Sequence, residues 1–271
     1  MGVIRFKSFS SGSCGNCYFL GEEEEGRISA GVVIDAGVSL RRVRRELAAE
    51  GLDTDTFQAI LVTHDHLDHI RALGSFCKYL HKPVFATGAL HKALSANLFT
   101  QAYIASCRRV LDNDGWTQVV PGKISAKCFV VPHDATQTVG YCIKMAGQTV
   151  VIITDAGKAE GAALEYAAQA DTLIIESNYD DYMLDHGPYP KVLRDRIRDG
   201  SGHLSNAQCA EAVSAVAHPE LRNVFLCHLS ENNNTPSEAH KCTRDALDAM
   251  GRQDVRLVVL PRQLPSRLFT L

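Results

Sequence analysis

The chain has 271 residues, 45% hydrophobic and 22% charged, with 28 basic and 31 acidic side chains and a formal net charge of −3. That composition suits a soluble globular enzyme with a sizeable core, and it excludes a globally basic nucleic-acid binder. No run of about eighteen apolar residues marks a membrane span, and the segment from Met1 to Phe6 reads into a strand without an export signal, so a cytoplasmic protein is expected. The nine cysteines are odd in number and mostly sit in apolar segments, which predicts reduced thiols rather than a disulfide framework. Cys14-Gly15-Asn16-Cys17 has no second Cys-x-x-Cys pair with which to complete a structural zinc site.

In chain order, Val3 to Phe6 predicts a strand, and the small residues from Ser8 to Gly15 a loop before the strand Cys17 to Leu20. Such a loop suits either a phosphate or a tight hairpin, and Ser11, Ser13 and Asn16 are its candidate phosphate contacts. Glu22 to Glu25 reads as a solvated hairpin tip. Gly31 to Gly37 is a buried strand ending in Asp35-Ala36-Gly37. A helix follows with Leu40, Val43 and Leu47 on its apolar face; Arg41, Arg42, Arg44 and Arg45 form a basic face, solvated or touching a polyanion.

Phe57 to Val62 predicts a strand that delivers Thr63-His64-Asp65-His66-Leu67-Asp68-His69 at its end. In an extended segment His64 and His66 share one side and Asp65 points away, while Asp68 and His69 enter the same space from the first turn of a helix. Ile70 to Leu80 reads as that helix and Pro83 to Ala86 as a strand; His81 and His91, beside lysines, read as surface residues. Lys127 to Val131 runs into Pro132-His133-Asp134. Val139 to Met145 and Thr149 to Ile153 form a hairpin whose second strand ends in Thr154-Asp155-Ala156-Gly157, an echo of Ile34-Asp35-Ala36-Gly37. Thr172 to Ile175 leads to Glu176-Ser177-Asn178, and Val224 to Cys227 to His228, with Cys227 facing away from the side His228 occupies. Helices are expected over 189–198, 206–217 and 236–250, and a last strand over 255–260. No linker or repeat divides the chain, so a single domain over 1–271 is expected.

Apolar strands that repeatedly finish on ligand-type residues gather His64, His66, Asp68, His69, His133, Asp155 and His228. Seven nitrogen and oxygen donors exceed one tetrahedral ion and suit two divalent ions that share Asp155. No thiolate takes part, and zinc, manganese and iron all fit the donor set. Such a centre activates water, so a hydrolase is expected.

The pattern His64-x-His66-x-Asp68-His69, with His133, Asp155 and His228 behind it, resembles the metallo-β-lactamase superfamily over almost the whole chain. The resemblance implies an α/β fold, a four-layer αββα sandwich. It assigns His64, His66 and His133 to one ion and Asp68, His69 and His228 to the other, bridges them with Asp155, and has Asp35 orient the ligand loop. Glu176 and His203 stand as in its phosphodiesterase branch, where a glutamate supports the histidine that protonates the leaving oxygen while a metal-bridging hydroxide attacks phosphorus. The catalytic set so implied is Asp68, Asp155, Glu176 and His203.

Ser10 to Cys17, Glu176-Ser177-Asn178, Gly202 to Asn206 and His228 to Asn233 further resemble the bacterial YycJ/WalJ group of exonucleases. That resemblance implies 5′-to-3′ degradation of DNA in repair, with DNA as the partner and Asn178 beside a substrate phosphate. Tyr179 departs from it, standing where a histidine is expected. The interval from Asp155 to His203 is too short for the inserted nuclease domain of some relatives, and no basic arm for gripping tRNA is visible. Tyr141, Tyr179, Tyr182 and Tyr189 are open to base stacking or to core packing. Hydrolysis of a cyclic phosphodiester, lactone or thioester is the alternative, with RNA processing behind it. The sequence identifies no protein partner.

Overall fold

The computed structural model describes residues 2–112 and 115–271. Strands β1 (Val3–Gly12), β2 (Gly15–Glu24), β3 (Arg27–Ile34), β4 (Ala59–Leu61), β5 (Val84–Ala86) and β6 (Arg108–Val110) belong to one sheet. Strands β7 (Thr117–Val120), β8 (Ile124–Val131), β9 (Thr138–Met145), β10 (Gln148–Ile153), β11 (Thr172–Glu176), β12 (Asn223–Cys227) and β13 (Arg256–Val259) form the second. The C-terminal β14 (Phe269–Thr270) returns to the first sheet beside β1. The orders are β14-β1-β2-β3-β4-β5-β6 and β13-β12-β11-β10-β9-β8-β7. Each sheet is antiparallel in one half and parallel in the other, from β3 to β6 and from β10 to β13.

The alternation of side chains along the central strands sorts the core into two zones. Val150, Ile152, Ile174, Phe225 and Cys227 pack between the sheets, where the Phe225 ring lies 4.8 Å from that of Phe6. Their neighbours Val151, Ile153, Leu173, Ile175, Val224 and Leu226 face the other way, toward the helices Ala162–Ala167, Asn206–Val216 and Pro236–Ala249. The helices Leu40–Ala48, Leu73–Leu80 and Gly88–Ala96 bury Val43, Leu47, Phe76, Leu90 and Leu94 against the first sheet. Helix, sheet, sheet, helix is the four-layer α/β sandwich that the sequence resemblance implies. Parallel strands joined through helices bring their C-terminal ends to one edge, and ligand sites form at such edges.

Several elements differ from the reading of the sequence. The stretch from Ser8 to Gly15 is not an open loop: β1 and β2 run to a turn at Ser13 and Cys14, with a bulge between Ser8 and Ser10. Glu22 is not at a solvated tip but lies buried in β2, paired across the strands with Ile4 and Ala30; only Glu24 and Glu25 are exposed. The helix expected over 70–80 is two, Leu67–Ile70 and Leu73–Leu80, because the Ala72 N–H leaves the helical ladder for the Ala36 carbonyl at 2.9 Å. His91 is fully buried rather than on the surface, and its Nε2 hydrogen-bonds the Arg109 carbonyl at 2.8 Å. The helix Lys191–Arg198 starts after Pro190, and a short helix, Asp181–His186, precedes it.

Candidate metal centre

Three strands hand their side chains to the site through residues in the left-handed backbone region. Asp35 follows β3 with φ +61°, Asp155 follows β10 with φ +53°, and His228 follows β12 with φ +53°. Asparagine, aspartate and histidine tolerate this region better than most residues, but it remains strained, and strain of this kind gathers at functional sites. The two Asp-Ala-Gly turns have matching roles. A Cβ on Gly37 would lie 1.6 Å from the Asp68 carbonyl oxygen, and one on Gly157 2.3 Å from that of Gly200, so each glycine admits a loop that carries site residues.

The candidate ligands converge. His64, His66 and His133 place donor atoms within 4.8 Å of one another, as do Asp68, His69 and His228, and so do His64, His69 and Asp155. Asp155 stands between the groups, with one oxygen 3.2 Å from His69 Nε2 and the other 3.9 Å from His133 Nε2. Asp65 points away, as alternation requires, and accepts from the Thr136 N–H at 3.1 Å and hydroxyl at 2.6 Å, clasping the loop behind His133.

Hydrogen bonds orient these rings. His69 Nδ1 donates to Asp35 Oδ2 at 2.7 Å, while the Asp35 carboxylate also accepts the Thr63 N–H and hydroxyl, each at 2.8 Å. His133 Nδ1 donates to the Gly202 carbonyl at 2.9 Å, and His228 Nδ1 to Glu176 Oε1 at 2.8 Å. The opposite nitrogens are therefore the ones at which a cation can take the place of a proton. His64 Nε2, His133 Nε2 and His228 Nε2 are buried and meet no hydrogen-bonding partner. A buried nitrogen left this way is costly unless a cation takes its lone pair, so the donor set fits divalent metal.

The electrostatics agree. Burial holds the His64 and His133 imidazoles below the ordinary histidine value, leaving neutral nitrogen donors. Burial alone would lower His228 as well, but Asp155, Asp68 and Glu176 push it up to about 10. Burial would raise Asp68, yet His69 and His228 hold it well below the usual carboxylate range. The carboxylates thus demand positive charge here, which imidazolium protons or metal ions satisfy.

Glu176 is fully buried and works as a hub: Oε1 accepts from both His203 Nδ1 (2.7 Å) and His228 Nδ1, and Oε2 from the Ala156 and Leu204 N–H groups (3.0 and 3.2 Å). Burial would lower His203, but the Glu176 carboxylate, with Asp155 behind it, raises it above the ordinary value. With Nδ1 engaged, its Nε2 is left for the cleft, which measures about 270 Å³ and which His203 lines together with His66, His133 and His228. Ser13 and Asn178 line it too, and Asn178 Nδ2 also donates to the His228 carbonyl at 2.8 Å.

Two of the expected phosphate contacts face inward instead. Ser11 is fully buried; its hydroxyl accepts the His228 N–H at 3.0 Å and pairs with the Tyr18 hydroxyl at 2.8 Å. Asn16 is also fully buried, with Nδ2 2.8 Å from His69 Nε2 and 3.1 Å from Asp68 Oδ2, so it steadies ligand side chains. Ser11 and Asn16 are directly opposed across β1 and β2, so their side chains leave on one face, toward the site residues. Tyr141, which donates to the Val62 carbonyl at 2.5 Å, and Tyr179 are buried outside the cleft. Tyr182 is exposed against His186, and Tyr189 lines the cleft.

Sequence reasoning missed Asp134 and Arg196, both of which line the cleft. Asp134 Oδ1 lies 3.4 Å from His133 Nε2 and 3.8 Å from His66 Nε2, and its other oxygen accepts from Arg196 Nε at 2.6 Å. Its place directly after His133 was the available signal; nothing local marks Arg196.

Residues 31–229 match the beta-lactamase superfamily domain family. Over 248 residues the chain is 29% identical to the exodeoxyribonuclease YycJ of Bacillus anthracis, covering 92% of this chain and 90% of that protein. It is 28% identical over 237 residues to the exodeoxyribonuclease WalJ of Streptococcus pneumoniae, covering 88% and 86%. Among solved structures, the metallo-beta-lactamase fold protein YhfI of Bacillus subtilis superposes with a TM-score of 0.71 at 14% identity, over 99% of this chain and 100% of that one.

Proposed function

This chain belongs to the beta-lactamase superfamily and is a metal-dependent hydrolase, and we propose that it is a phosphodiesterase that degrades DNA from the 5′ end, in the cytoplasm and in the service of repair. The observation that carries this reading is the pairing of two features in one cleft: buried, unpartnered histidine nitrogens beside Asp68 and Asp155, and His203 held on Glu176. The likeness to two exodeoxyribonucleases over nearly the whole chain supports DNA as the substrate.

His64, His66 and His133 would hold one divalent ion and Asp68, His69 and His228 the other, with Asp155 available to both; zinc and manganese suit these donors, and iron is compatible with them. When bound, such a pair supplies a hydrolytic nucleophile from water at neutral pH and offsets the charge of a phosphodiester. Asp35 fixes the tautomer and direction of His69. His203, kept protonated and oriented by Glu176, gives its Nε2 proton to the leaving oxygen. Ser13 and Asn178 border the place of the substrate phosphate.

The test is incubation of metal-loaded protein, with zinc or manganese, on DNA and RNA labelled at either end. Mononucleotide release from the 5′ end of DNA is expected, with activity and bound metal both lost in Asp155→Ala. Turnover of a small phosphodiester with every polymer intact would reject the nuclease reading, and full activity of a folded Asp155→Ala protein would reject the shared-ligand centre.

A further inference from the structure

A second groove, of about 430 Å³, lies between the helix Leu40–Ala48 and the segment from Arg71 to Tyr79. Ser39, Arg41, Arg44, Arg71, Ser75 and Tyr79 line it, and no acidic side chain does. All three arginines are exposed, and none of their guanidinium groups has a hydrogen-bond or ion-pair partner among the described residues. Their neighbours differ: Arg42 donates to the Gln263 carbonyl, and Arg45 pairs with Glu46 at 2.6 Å. Three guanidinium groups around one groove, with no acidic side chain in its lining, make a local positive surface in a chain of net charge −3. The Tyr79 ring is 58% exposed; Lys78 Nζ lies 5.1 Å from its centroid and adds to the positive charge, and a base that stacks there must take the other face or displace the lysine.

The groove adjoins the metal centre. Gly37 in its lining abuts the Asp68 carbonyl, Ala72 in its lining is tied to Ala36 by a 2.9 Å hydrogen bond, and Arg71 follows the helix Leu67–Ile70 that carries Asp68 and His69. The groove and the cleft share no lining residue, but the backbone that carries Asp68 and His69 forms part of the wall between them, so a chain long enough to leave the cleft meets this basic surface next on that side.

We propose that this groove binds the backbone phosphates of the nucleic-acid strand that extends from the cleft, with Arg41, Arg44 and Arg71 as the phosphate contacts and Tyr79 as a platform for an unpaired base. This rests on the reading of the cleft as a nuclease site. Guanidinium forks match phosphate oxygens, and such contacts raise affinity for any sequence, as an exonuclease requires. The cleft itself keeps its chemistry without them, because none of the three arginines lines it.

The experiment compares the metal-loaded parent with the R41Q/R44Q/R71Q variant on a long single-stranded DNA and on bis(p-nitrophenyl) phosphate, between 50 and 200 mM salt. Loss of three phosphate contacts lowers the slope of log affinity against log salt by roughly 2, so the parent should lose about fifteen-fold more affinity for DNA than the variant across that range. Turnover of the small ester should be equal, which also shows that the variant is folded. An unchanged salt slope and unchanged KM on DNA in the variant, with the parent active on DNA, would overturn the groove alone. A parent that hydrolyses the ester but neither binds nor degrades DNA would overturn the groove and the nuclease reading together. Equal loss on the ester and on DNA would also overturn the groove, since the arginines would then be supporting the cleft.

Discussion

Ser11→Ala separates two roles for the serine-rich turn. The Ser11 hydroxyl accepts the N–H of His228, a candidate ligand held at φ +53°, and both residues are buried. Alanine leaves that N–H without an acceptor, at a cost of about 1–3 kcal/mol. The Tyr18 hydroxyl loses one partner but keeps Asn16 Oδ1 at 3.2 Å, so a single orphan dominates and a loss of about 2 kcal/mol is expected. At an unfolding entropy of about 2.1 cal/mol/K per residue, this lowers Tm by roughly 3–4 °C. Thermal melts of the apo and metal-loaded proteins measure the shift, and a metal titration reads the companion effect, weaker retention of the ion that His228 would hold. KM for DNA should stay near the parent value. A variant with unchanged Tm and a raised KM would refute this reasoning and return Ser11 to the substrate phosphate.

Asp35→Asn removes a carboxylate that accepts three hydrogen bonds, one of them from His69; metal affinity should fall by about 10–100-fold in a chelator competition, and an unchanged affinity would deny the orienting role. His203→Ala should slow turnover of DNA by about 10²–10⁴-fold while sparing bis(p-nitrophenyl) phosphate, whose leaving group needs no proton; equal losses would argue against proton donation. His91 has its folded pKa lowered, mainly by burial. Its contribution to stability is therefore complete above the ordinary histidine value of about 6.5 and is lost as pH falls from there toward the folded value. In denaturant titrations between pH 8 and 5, His91→Gln should lose stability less steeply on acidification than the parent, and parallel curves would contradict the assignment.

Much of the site was legible because short-range geometry carried it. His64 and His66 two apart, Asp65 turned away, and Asp68 and His69 in the next turn follow from the periods of strand and helix, and the strands that end on Asp155, Glu176 and His228 were visible as apolar runs with polar stops. The sandwich was implied only by the family resemblance that the ligand pattern carried.

Tertiary structure decided the rest. Ser11 and Asn16 looked like phosphate ligands because small polar residues in a row resemble a loop; pairing β1 with β2 across nine residue pairs turned those two side chains inward, against the metal-site residues. His91, read as a surface residue because Lys92 follows it, was buried by the face of its helix that meets the first sheet. Nothing local foretells that one glutamate serves both His203 and His228, which stand 27 and 52 residues away. The arginine groove likewise joins Arg71 to a helix about thirty residues earlier. Side-chain periodicity fixes which residues leave an element on the same side, but it says nothing about which element stands opposite. That depends on how the two sheets and their covering helices pack, and a contact between distant segments has no signature in either segment alone.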